Sequence, residues 1–262
     1  MIIRHDIDPK LYLAESDQFS AVVAIATTQE EILTPYDNID KLLKPSLITA
    51  TQSETEYYTC CNGMGSLISP NWILTAAHVA KELSPNAKIK IKEKAFAIKE
   101  IFSHPYFLSS GERELAENDI ALIQLQQAVE GVQLLPLYQQ KDELGKVVTL
   151  VGQGDFGNGL TGPECVDSKM RIATNRIEQA DDQHLVFTFD APPNCTKLEG
   201  VSGPGDNGGP ALIKIDEGWA IAGISSSQQS LNAREGHYGV IDYYTRISFH
   251  LDWINFILQG VQ

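Results

Sequence analysis

Two short stretches of the sequence each carry a side chain that could take part in proton transfer. Residues 73–79 read ILTAAHV and place His78 just after a strand-like run and a turn of small residues. Residues 118–122 read NDIAL and place Asp119 at the mouth of an alternating strand. A histidine oriented by an aspartate can take a proton from a nucleophile. A lone histidine or aspartate is usually structural, so the pair becomes informative only with a third stretch.

The third stretch, residues 203–210, reads GPGDNGGP. Asp206 and the glycines around it have the arrangement expected near a nucleophilic serine, but Asn207 stands at the centre. An amide nitrogen is delocalised and is not nucleophilic at neutral pH, whereas this chemistry needs a hydroxyl that can attack a carbonyl. Each stretch alone is a weak signal, but the three together, in this order and with long gaps between them, are specific.

The elements that must position these residues are mostly short strands. Clusters of Gly, Pro and Asn, such as GQGDFGNGLTGP, separate them. Alternation of apolar and polar residues predicts that one face of several strands is buried. The clearest strands are predicted at residues 21–26, 87–91, 120–125, 147–151, 185–189 and 219–224. This organisation is typical of an all-β sandwich or barrel.

One helix is predicted, near the C-terminal end of the chain. Apolar residues recur there at helical spacing and would form one face packed on the β core. They are Ile247, Leu251, Ile254 and Leu258. Ser248 is expected to cap the start of this helix, and Gly260 is expected to end it. Residues 134–144 would connect two lobes of the molecule.

The three stretches together resemble the trypsin/chymotrypsin family of serine endopeptidases, especially its bacterial members. TAAHV is similar to the family's T/S-A-A-H block, NDIAL to its D-I-A-L block, and GDNGGP to its G-D-S-G-G-P block with one change. Further similarities extend the resemblance over about residues 20–258. They lie in CCNGMGSLISPNWILTAAH, SHPYF, VGQGDFGNG and YYTRISFHLDWI.

The resemblance implies an all-β fold of two packed six-stranded antiparallel β-barrels (chymotrypsin-like) with a C-terminal α-helix. The chain would form a single peptidase domain over residues 1–262. Its barrels would span about residues 18–133 and 145–246, and its helix about residues 247–259. The functional site would lie in the cleft between the barrels.

The same resemblance implies a role for each residue of the three stretches. His78 would be the general base, and Asp119 would hold its imidazole in the required tautomer. The backbone N–H groups of Gly205 and Asn207 would form the oxyanion hole. Asp206 would receive the ammonium of a mature N-terminus, which orders the loop around that hole. No metal or organic cofactor is implied.

The resemblance also places a specificity pocket. Val201 would lie at its floor, and Ser226, Ser227 and Gln228 along its wall. An aspartate at the floor would select Lys or Arg, which valine cannot do. Gln228 stands where a glycine normally leaves the pocket open. We therefore expect either a preference for a small or apolar residue or a blocked pocket.

The first residues resemble the family's mature N-terminus. Ile2 and Ile3 match its start, and a free amine on Ile2 would reach Asp206. With Met1 retained, the amine would be one residue, about 3.5 Å of chain, out of position. Met1 would then replace a removed leader or belong to an unprocessed precursor. The alternative is that residues 1–6 form only a surface strand.

The four cysteines leave two alternatives open. Cys165 and Cys195 could form a disulfide, which would stabilise the fold by roughly 3–4 kcal/mol through loop closure. Cys60 and Cys61 are adjacent, which would strain a mutual bridge. All four could instead be buried free thiols.

Composition limits the partners. The net charge of −14, from 34 acidic against 20 basic residues, argues against nucleic acid and against an anionic membrane surface. No apolar run reaches the roughly 18 residues of a membrane span, and the first ten residues do not read as a signal peptide. We expect a monomer, secreted or periplasmic after removal of a leader, that takes a peptide, a protein substrate or an inhibitor in its cleft.

The sequence thus predicts a serine endopeptidase in a form that lacks its nucleophile and is proteolytically inactive as written. The rival hypothesis is a natural non-enzymatic homologue of serine proteases that binds a peptide or a protein through the same cleft. The presence of His78, Asp119 and the glycine frame favours a recent or engineered loss of the hydroxyl over catalysis abandoned long ago.

Overall fold

A computed structural model gives the fold of residues 1–15, 17–26, 63–84, 86–108, 115–230 and 234–260. Strands make up most of the regular structure in these residues, as the sequence predicts. In chain order they are β1 (Ile2–Ile3), β2 (Val22–Ile25), β3 (Gly63–Ser69), β4 (Trp72–Thr75), β5 (Lys88–Ile91), β6 (Lys94–Ser103), β7 (Ala121–Leu125), β8 (Val147–Gly152), β9 (Phe156–Asn158), β10 (Gly162–Cys165), β11 (Arg171–Arg176), β12 (Gln179–Ala180), β13 (His184–Thr188), β14 (Gly200–Val201), β15 (Pro210–Ile215), β16 (Gly218–Gln229) and β17 (Ile241–Arg246). The helices are a 3-10 turn (Pro9–Tyr12), α1 (Ala77–Lys81) and α2 (Ile247–Gly260).

The first barrel is a six-stranded sheet in the order β2-β3-β4-β7-β6-β5, with antiparallel neighbours throughout. Contacts between β2 and β5 close it. In β5 the side chains alternate, so that Ile89 and Ile91 enter the core while Lys88 and Lys90 face solvent. β4 and β7 are buried along their whole length. These two central strands adjoin the segments that carry His78 and Asp119.

The second barrel is an antiparallel sheet in the order β11-β8-β15-β16-β17-β13-β12. Contacts between β11 and β13 bring its ends together. The prediction of two barrel-like sheets with a C-terminal helix is confirmed. The two-residue strand β12 gives this sheet seven strands in the described part of the chain, one more than the six expected.

A third, small sheet forms around the beginning of the chain. β1 lies between β14, to which it is antiparallel, and β9, to which it is parallel, and β10 completes the sheet. Met1, Ile2 and Ile3 are all buried. The alternative of a surface strand over residues 1–6 is therefore wrong for residues 1–3. Their side chains are buried in the apolar clusters of the second barrel and of the small sheet.

Helix α2 follows β17 without a break and packs on both barrels through buried Ile247 and Ile254. Gly260 is its last residue, close to the predicted end. Ser248 does not cap the helix, since the helix already begins at Ile247. Its hydroxyl instead donates a hydrogen bond to Glu143 in the connection between the barrels, at 2.6 Å. No helix in the described residues is long and apolar enough to cross a membrane.

The predicted disulfide is absent, so that prediction is wrong. Cys165 ends the edge strand β10 with an exposed side chain, and Cys195 lies half-buried in the loop between β13 and β14; both thiols are free. The exposure of Cys165 also contradicts the alternative of four buried thiols. Cys60 and Cys61 lie outside the described residues.

Candidate functional site

His78 is positioned by the end of a central strand. β4 ends at Thr75, and the chain turns through Ala76 and Ala77, whose small side chains are fully buried, into the short helix α1. His78 is the second residue of that helix and keeps 33% of its side chain exposed. The small residues let the turn sit close to the barrel, while the imidazole remains open to the cleft.

Asp119 is held by a strained turn just before β7. Asn118 adopts a left-handed backbone conformation (φ 52°), which asparagine tolerates better than most residues. Its side-chain amide donates to the carbonyl of Tyr106 at 3.1 Å. The Thr245 hydroxyl donates to the backbone carbonyl of Asp119 at 2.9 Å, so both barrels fix this position. The Asp119 side chain is completely buried.

His78 and Asp119 form a close pair. Oδ2 of Asp119 lies 2.7 Å from Nδ1 of His78, and Oδ1 accepts from the backbone N–H of His78 at 2.9 Å. The hydroxyl of Ser226 also donates to Oδ2, at 2.6 Å. Because an ionised carboxylate only accepts hydrogen bonds, the neutral imidazole must carry its proton on Nδ1. Nε2 is then left with the lone pair that a general base requires.

Asn207 lies at the seam between the two barrels. Its backbone carbonyl accepts from the N–H of Met64 on β3 at 2.6 Å, and the following N–H, of Gly208, donates to Ser225 on β16 at 2.8 Å. Gly208 has a φ of +83° and sits against Met64 and Thr75, so only glycine fits there. The Ser225 hydroxyl lies 3.4 Å from Oδ1 of Asn207. Position 207 is thus fixed mainly through its backbone.

A second glycine links Asn207 to the histidine. A side chain at Gly63 would collide with the carbonyl of Asn207 on one side and with Val79 on the other, at 2.6 and 2.7 Å. Val79 directly follows His78. The structure therefore brings the segment carrying Asn207 against the segment carrying the base, as the resemblance implied.

The predicted oxyanion hole would consist of backbone groups of the same loop. The N–H groups of Gly205 and Asn207 make no hydrogen bond to any other described residue. Gly205 has a φ of +86°, a conformation that favours glycine. Two free N–H groups, one on either side of Asp206, can stabilise negative charge on a bound carbonyl oxygen.

The buried side chain of Asp206 fixes the loop that carries Gly205 and Asn207. It is buried and accepts from the N–H of Gly154 at 2.7 Å and from the N–H of Gly203 at 2.9 Å. Its Oδ2 also lies 2.6 Å from the ammonium of Met1, which donates to the carbonyl of Asp155 at 2.5 Å as well. The expectation that a retained Met1 puts the amine out of position is wrong. The pairing of Ile2 with Val201 sets a register in which Met1 itself reaches Asp206.

The four predicted pocket residues have different surroundings in the structure. Val201 is completely buried in an apolar cluster with Ile2, Phe189 and Val240. The Ser226 hydroxyl donates a hydrogen bond to Oδ2 of Asp119, so this predicted pocket residue also contacts the His78–Asp119 pair. The hydroxyl of Ser227 is buried without a hydrogen-bond partner among the described residues, and Gln228 is half-buried on the same strand.

Sequence reasoning missed one charged residue of this region, Asp242. It is completely buried and accepts from the backbone N–H and hydroxyl of Ser202 and from the side-chain amide of Gln228. Burial raises its pKa to about 6, although these hydrogen bonds oppose the shift. The only available signal was the alternation of β17, which puts Asp242 on the same face as buried Tyr244.

Among the described residues, no three His, Cys, Asp or Glu side chains are grouped so that they could hold a metal ion. The arrangement can instead do acid–base chemistry beside an oxyanion hole. A proton could leave a nucleophile for His78, and the resulting imidazolium would face the buried carboxylate of Asp119.

Comparison with known proteins agrees with this geometry. The family model described as Trypsin matches residues 46–254. Tryptase from Mus musculus is 27% identical over 241 residues, which cover 80% of this chain and 83% of tryptase. Chymotrypsin-like elastase family member 1 from Felis catus is 27% identical over 227 residues, covering 78% of this chain and 80% of the elastase. Ovochymase from Halocynthia roretzi is 28% identical over 224 residues, 78% of this chain but only 13% of that protein.

The family match covers the second barrel, the first barrel from β3 onward, and all three stretches that contain His78, Asp119 and Asn207. Because it spans well over half of the chain, this protein belongs to the trypsin family of serine proteases.

Proposed function

We propose that the protein is a trypsin-family serine endopeptidase in a form that lacks its nucleophile, so that as written it binds peptides without hydrolysing them. One observation carries the proposal. The pair His78–Asp119 is formed at 2.7 Å beside a loop whose nucleophile position is occupied by Asn207. Everything that would activate a hydroxyl is present, and the hydroxyl is not.

The chemical consequence of Asn207 is large. The side-chain amide cannot attack a carbonyl even when His78 is ready to accept a proton. In serine proteases, loss of the nucleophile lowers turnover by roughly 10⁶, and binding together with the oxyanion hole leaves roughly 10³–10⁴ over the reaction in water. A residual activity of that size is too small for a working protease.

Peptide binding does not depend on the missing hydroxyl. The free N–H groups of Gly205 and Asn207 belong to the backbone, and the ion pair of Met1 with Asp206 supports their loop. A carbonyl could therefore still be bound where hydrolysis would have begun. The partner would be a peptide, a protein substrate or an inhibitor in the cleft, and the protein would act as a monomer without nucleic acid or membrane.

A natural non-enzymatic homologue is the second candidate. The contact of Oδ1 of Asn207 with the Ser225 hydroxyl, at 3.4 Å, favours it, because the amide is accommodated by a neighbour rather than left unpaired. In that case the cleft would serve a partner protein. A secreted or periplasmic location is proposed for both candidates on the strength of the family alone.

Reaction with a serine-directed fluorophosphonate probe tests the first candidate. We expect no labelling of the native chain and labelling of Asn207→Ser, because His78 can then deprotonate a hydroxyl in the oxyanion frame. Adding His78→Ala to that variant should abolish labelling. Asn86→Ser, which changes an exposed asparagine in the same way, is the matched control and should stay unlabelled.

The outcome separates the candidates. A folded Asn207→Ser variant with its free amine at Met1 that remains unlabelled would contradict the endopeptidase proposal. A native partner that binds the unmodified chain and is released by substitutions in the cleft would then support the non-enzymatic homologue.

A further inference from the structure

The segment that carries Asp119 is bonded to one turn of the second barrel. The backbone N–H of Asn118 donates to Oε1 of Gln183 at 2.8 Å. Nε2 of His184 lies 2.9 Å from the backbone carbonyl of Ala116, and because a carbonyl only accepts, this nitrogen must be the donor. Gln183 directly precedes β13, and His184 begins it. Two adjacent residues of the second barrel thus bond two backbone groups just before Asp119.

The backbone of Gln183 is itself fixed on both sides. Its N–H donates to Oδ1 of Asp181 at 2.8 Å, and its carbonyl accepts from the N–H of Arg246 at 2.7 Å. The guanidinium of Arg246 donates to the carbonyl of Asp181 at 2.6 Å and pairs with buried Glu143. The side chain of Gln183 therefore extends from a held backbone, with its carbonyl end at Asn118.

The backbone conformation of Asn118 gives this bond its importance. With a φ of 52°, Asn118 lies in the left-handed region, where a residue stays only when its surroundings hold it. The N–H of Ile120 donates to the Asn118 carbonyl at 2.8 Å, which makes the turn tight. Asp119 lies inside this turn, so a rotation of the Asn118 backbone would move the carboxylate of Asp119.

The carboxylate of Asp119 has to be placed precisely. Its Oδ2 lies 2.7 Å from Nδ1 of His78, and the side chain is completely buried. A displacement of about 1 Å in such a site can lower the reaction rate about 10²-fold. Among the described residues, Gln183 alone accepts a hydrogen bond from the N–H of Asn118. One uncharged side chain of the second barrel thus completes the turn from which Asp119 reaches His78.

We propose that Gln183 is a positioning residue, whose side-chain carbonyl holds the left-handed turn at Asn118 and thereby keeps Asp119 against His78. Its side chain bonds to Asn118 and to neither member of the pair, so it acts through the turn. The second barrel then contributes to the general base as well as the loop of Asn207. The effect on reaction rate rests on the proposed function, whereas the effect on the His78–Asp119 bond does not.

Two substitutions of similar size separate the hydrogen bond from packing. Gln183→Glu keeps an acceptor oxygen in the same place, whereas Gln183→Met keeps the length of the side chain without an acceptor. With Asn207 in place, NMR should show the Nδ1 proton of His78 exchanging with water about tenfold faster in Gln183→Met than in the native chain or in Gln183→Glu. Gln140→Met and Gln140→Glu, at an exposed glutamine, are the matched controls and should leave this exchange unchanged.

The rate of reaction provides a second readout. In the Asn207→Ser background, the maximal rate of fluorophosphonate labelling should fall about tenfold with Gln183→Met and stay within about twofold with Gln183→Glu. The probe concentration that gives half of the maximal rate should not change, because Gln183 acts on the base and not on the probe. A merely structural role would not separate the maximal rate from probe binding in this way.

Two outcomes would overturn the proposal: equal exchange of the His78 proton in Gln183→Met and Gln183→Glu, or unprotected exchange of the Asn118 N–H in the native chain. The second measurement needs no variant and decides the question even if Gln183→Met does not fold. Neither measurement needs a nucleophile. Faster exchange in Gln183→Met, together with an Asn207→Ser variant that stays unlabelled, would reject the endopeptidase and retain the positioning role.

Discussion

Glu143 and Asp242 are both completely buried carboxylates, but their surroundings differ. Arg246 donates two hydrogen bonds to Glu143, at 3.0 and 2.6 Å, and the Ser248 hydroxyl donates a third. Burial alone would raise the pKa of Glu143, yet Arg246 and Ser248 outweigh it and the pKa is lowered. Asp242 has only neutral donors, and its pKa is raised to about 6.

Glu143 is thus a buried acid that a cation of its own chain neutralises, whereas Asp242 is a buried acid with neutral donors only. Glu143 ties the connection between the barrels to the start of α2, and its own chain supplies the opposite charge. Asp242 receives hydrogen bonds from Ser202 and Gln228, and none of these donors carries a charge. Asp206 belongs with Glu143, because the ammonium of Met1 neutralises it.

The largest expected effect comes from breaking the complete pair. Glu143→Gln leaves the Arg246 guanidinium buried without a counter-charge, and we expect the free energy of unfolding to fall by about 3–5 kcal/mol. Chemical denaturation measures this change. Glu93→Gln is the control: its side chain is 95% exposed and its pairing with Lys90 should contribute about 0–1 kcal/mol. Equal losses in the two variants would remove the distinction on which the comparison depends.

Converting Asp206 into an acid without a cation should have the next largest effect. Two residues, Gly-Ser, added before Met1 move the ammonium away from Asp206. The expected loss of stability is about 3 kcal/mol, at the lower end for a broken buried pair, because Gly154 and Gly203 still donate to the carboxylate. The same two residues added after Gln262 should change nothing. If both extensions have the same unfolding free energy, the Met1 pair does not support the loop.

The third expected effect, at most as large as the second, is a pH dependence of opposite sign for the two acids. The pKa of Asp242 is raised from 3.8 to about 6, so its contribution to stability is complete below pH 3.8 and is lost as the pH rises through 6. The difference in unfolding free energy between the native chain and Asp242→Asn should therefore fall by up to about 3 kcal/mol over that range.

Glu143 provides the internal check on this sign. Its pKa is lowered, so its contribution is present above the unfolded-state pKa and is lost as the pH falls through the folded-state pKa. The native chain should thus lose its advantage over Glu143→Gln on acidification, while it gains over Asp242→Asn. Parallel difference curves for the two variants would contradict the assignment of their partners.

Much of the fold was predictable from local patterns. The alternation in β5 and the apolar run of β7 predict strands within about one residue of their observed ends. The helical spacing of Ile247 and Ile254 predicts α2. The role of Ser248 was not predictable, because it depends on Glu143 in the distant connection between the barrels.

Some residues of the site were likewise predictable from the sequence, and others were not. Contiguous motifs identify His78, Asp119 and the loop around Asn207, because each motif fixes its own local backbone. No contiguous motif identifies Asp242, because the residues that donate hydrogen bonds to it are distant in sequence. Its pairing with Gln228 depends on the register of β16 against β17, which shifts between Ser225 and Ser227. A sequence pattern does not specify that shift.

The position of the Met1 amine also depends on how the strands pair. The sequence places Ile2 and Ile3 at a plausible start of the family's mature chain, but the amine that reaches Asp206 is set by the pairing of β1 with β14 and β9. Similarly, the spacing of Cys165 and Cys195 allows a disulfide, whereas the exposed edge of β10 leaves Cys165 free. Both outcomes follow from pairings between strands that are distant in sequence.

We propose that the site lacks only the nucleophilic hydroxyl. The most direct test is the burst of p-nitrophenolate released from excess p-nitrophenyl acetate, which counts nucleophiles that become acylated. We predict a burst of about one equivalent per chain for Asn207→Ser and no burst for the native chain or for Asn207→Ser with His78→Ala. A burst from the native chain, or none from a folded Asn207→Ser variant, would contradict the account.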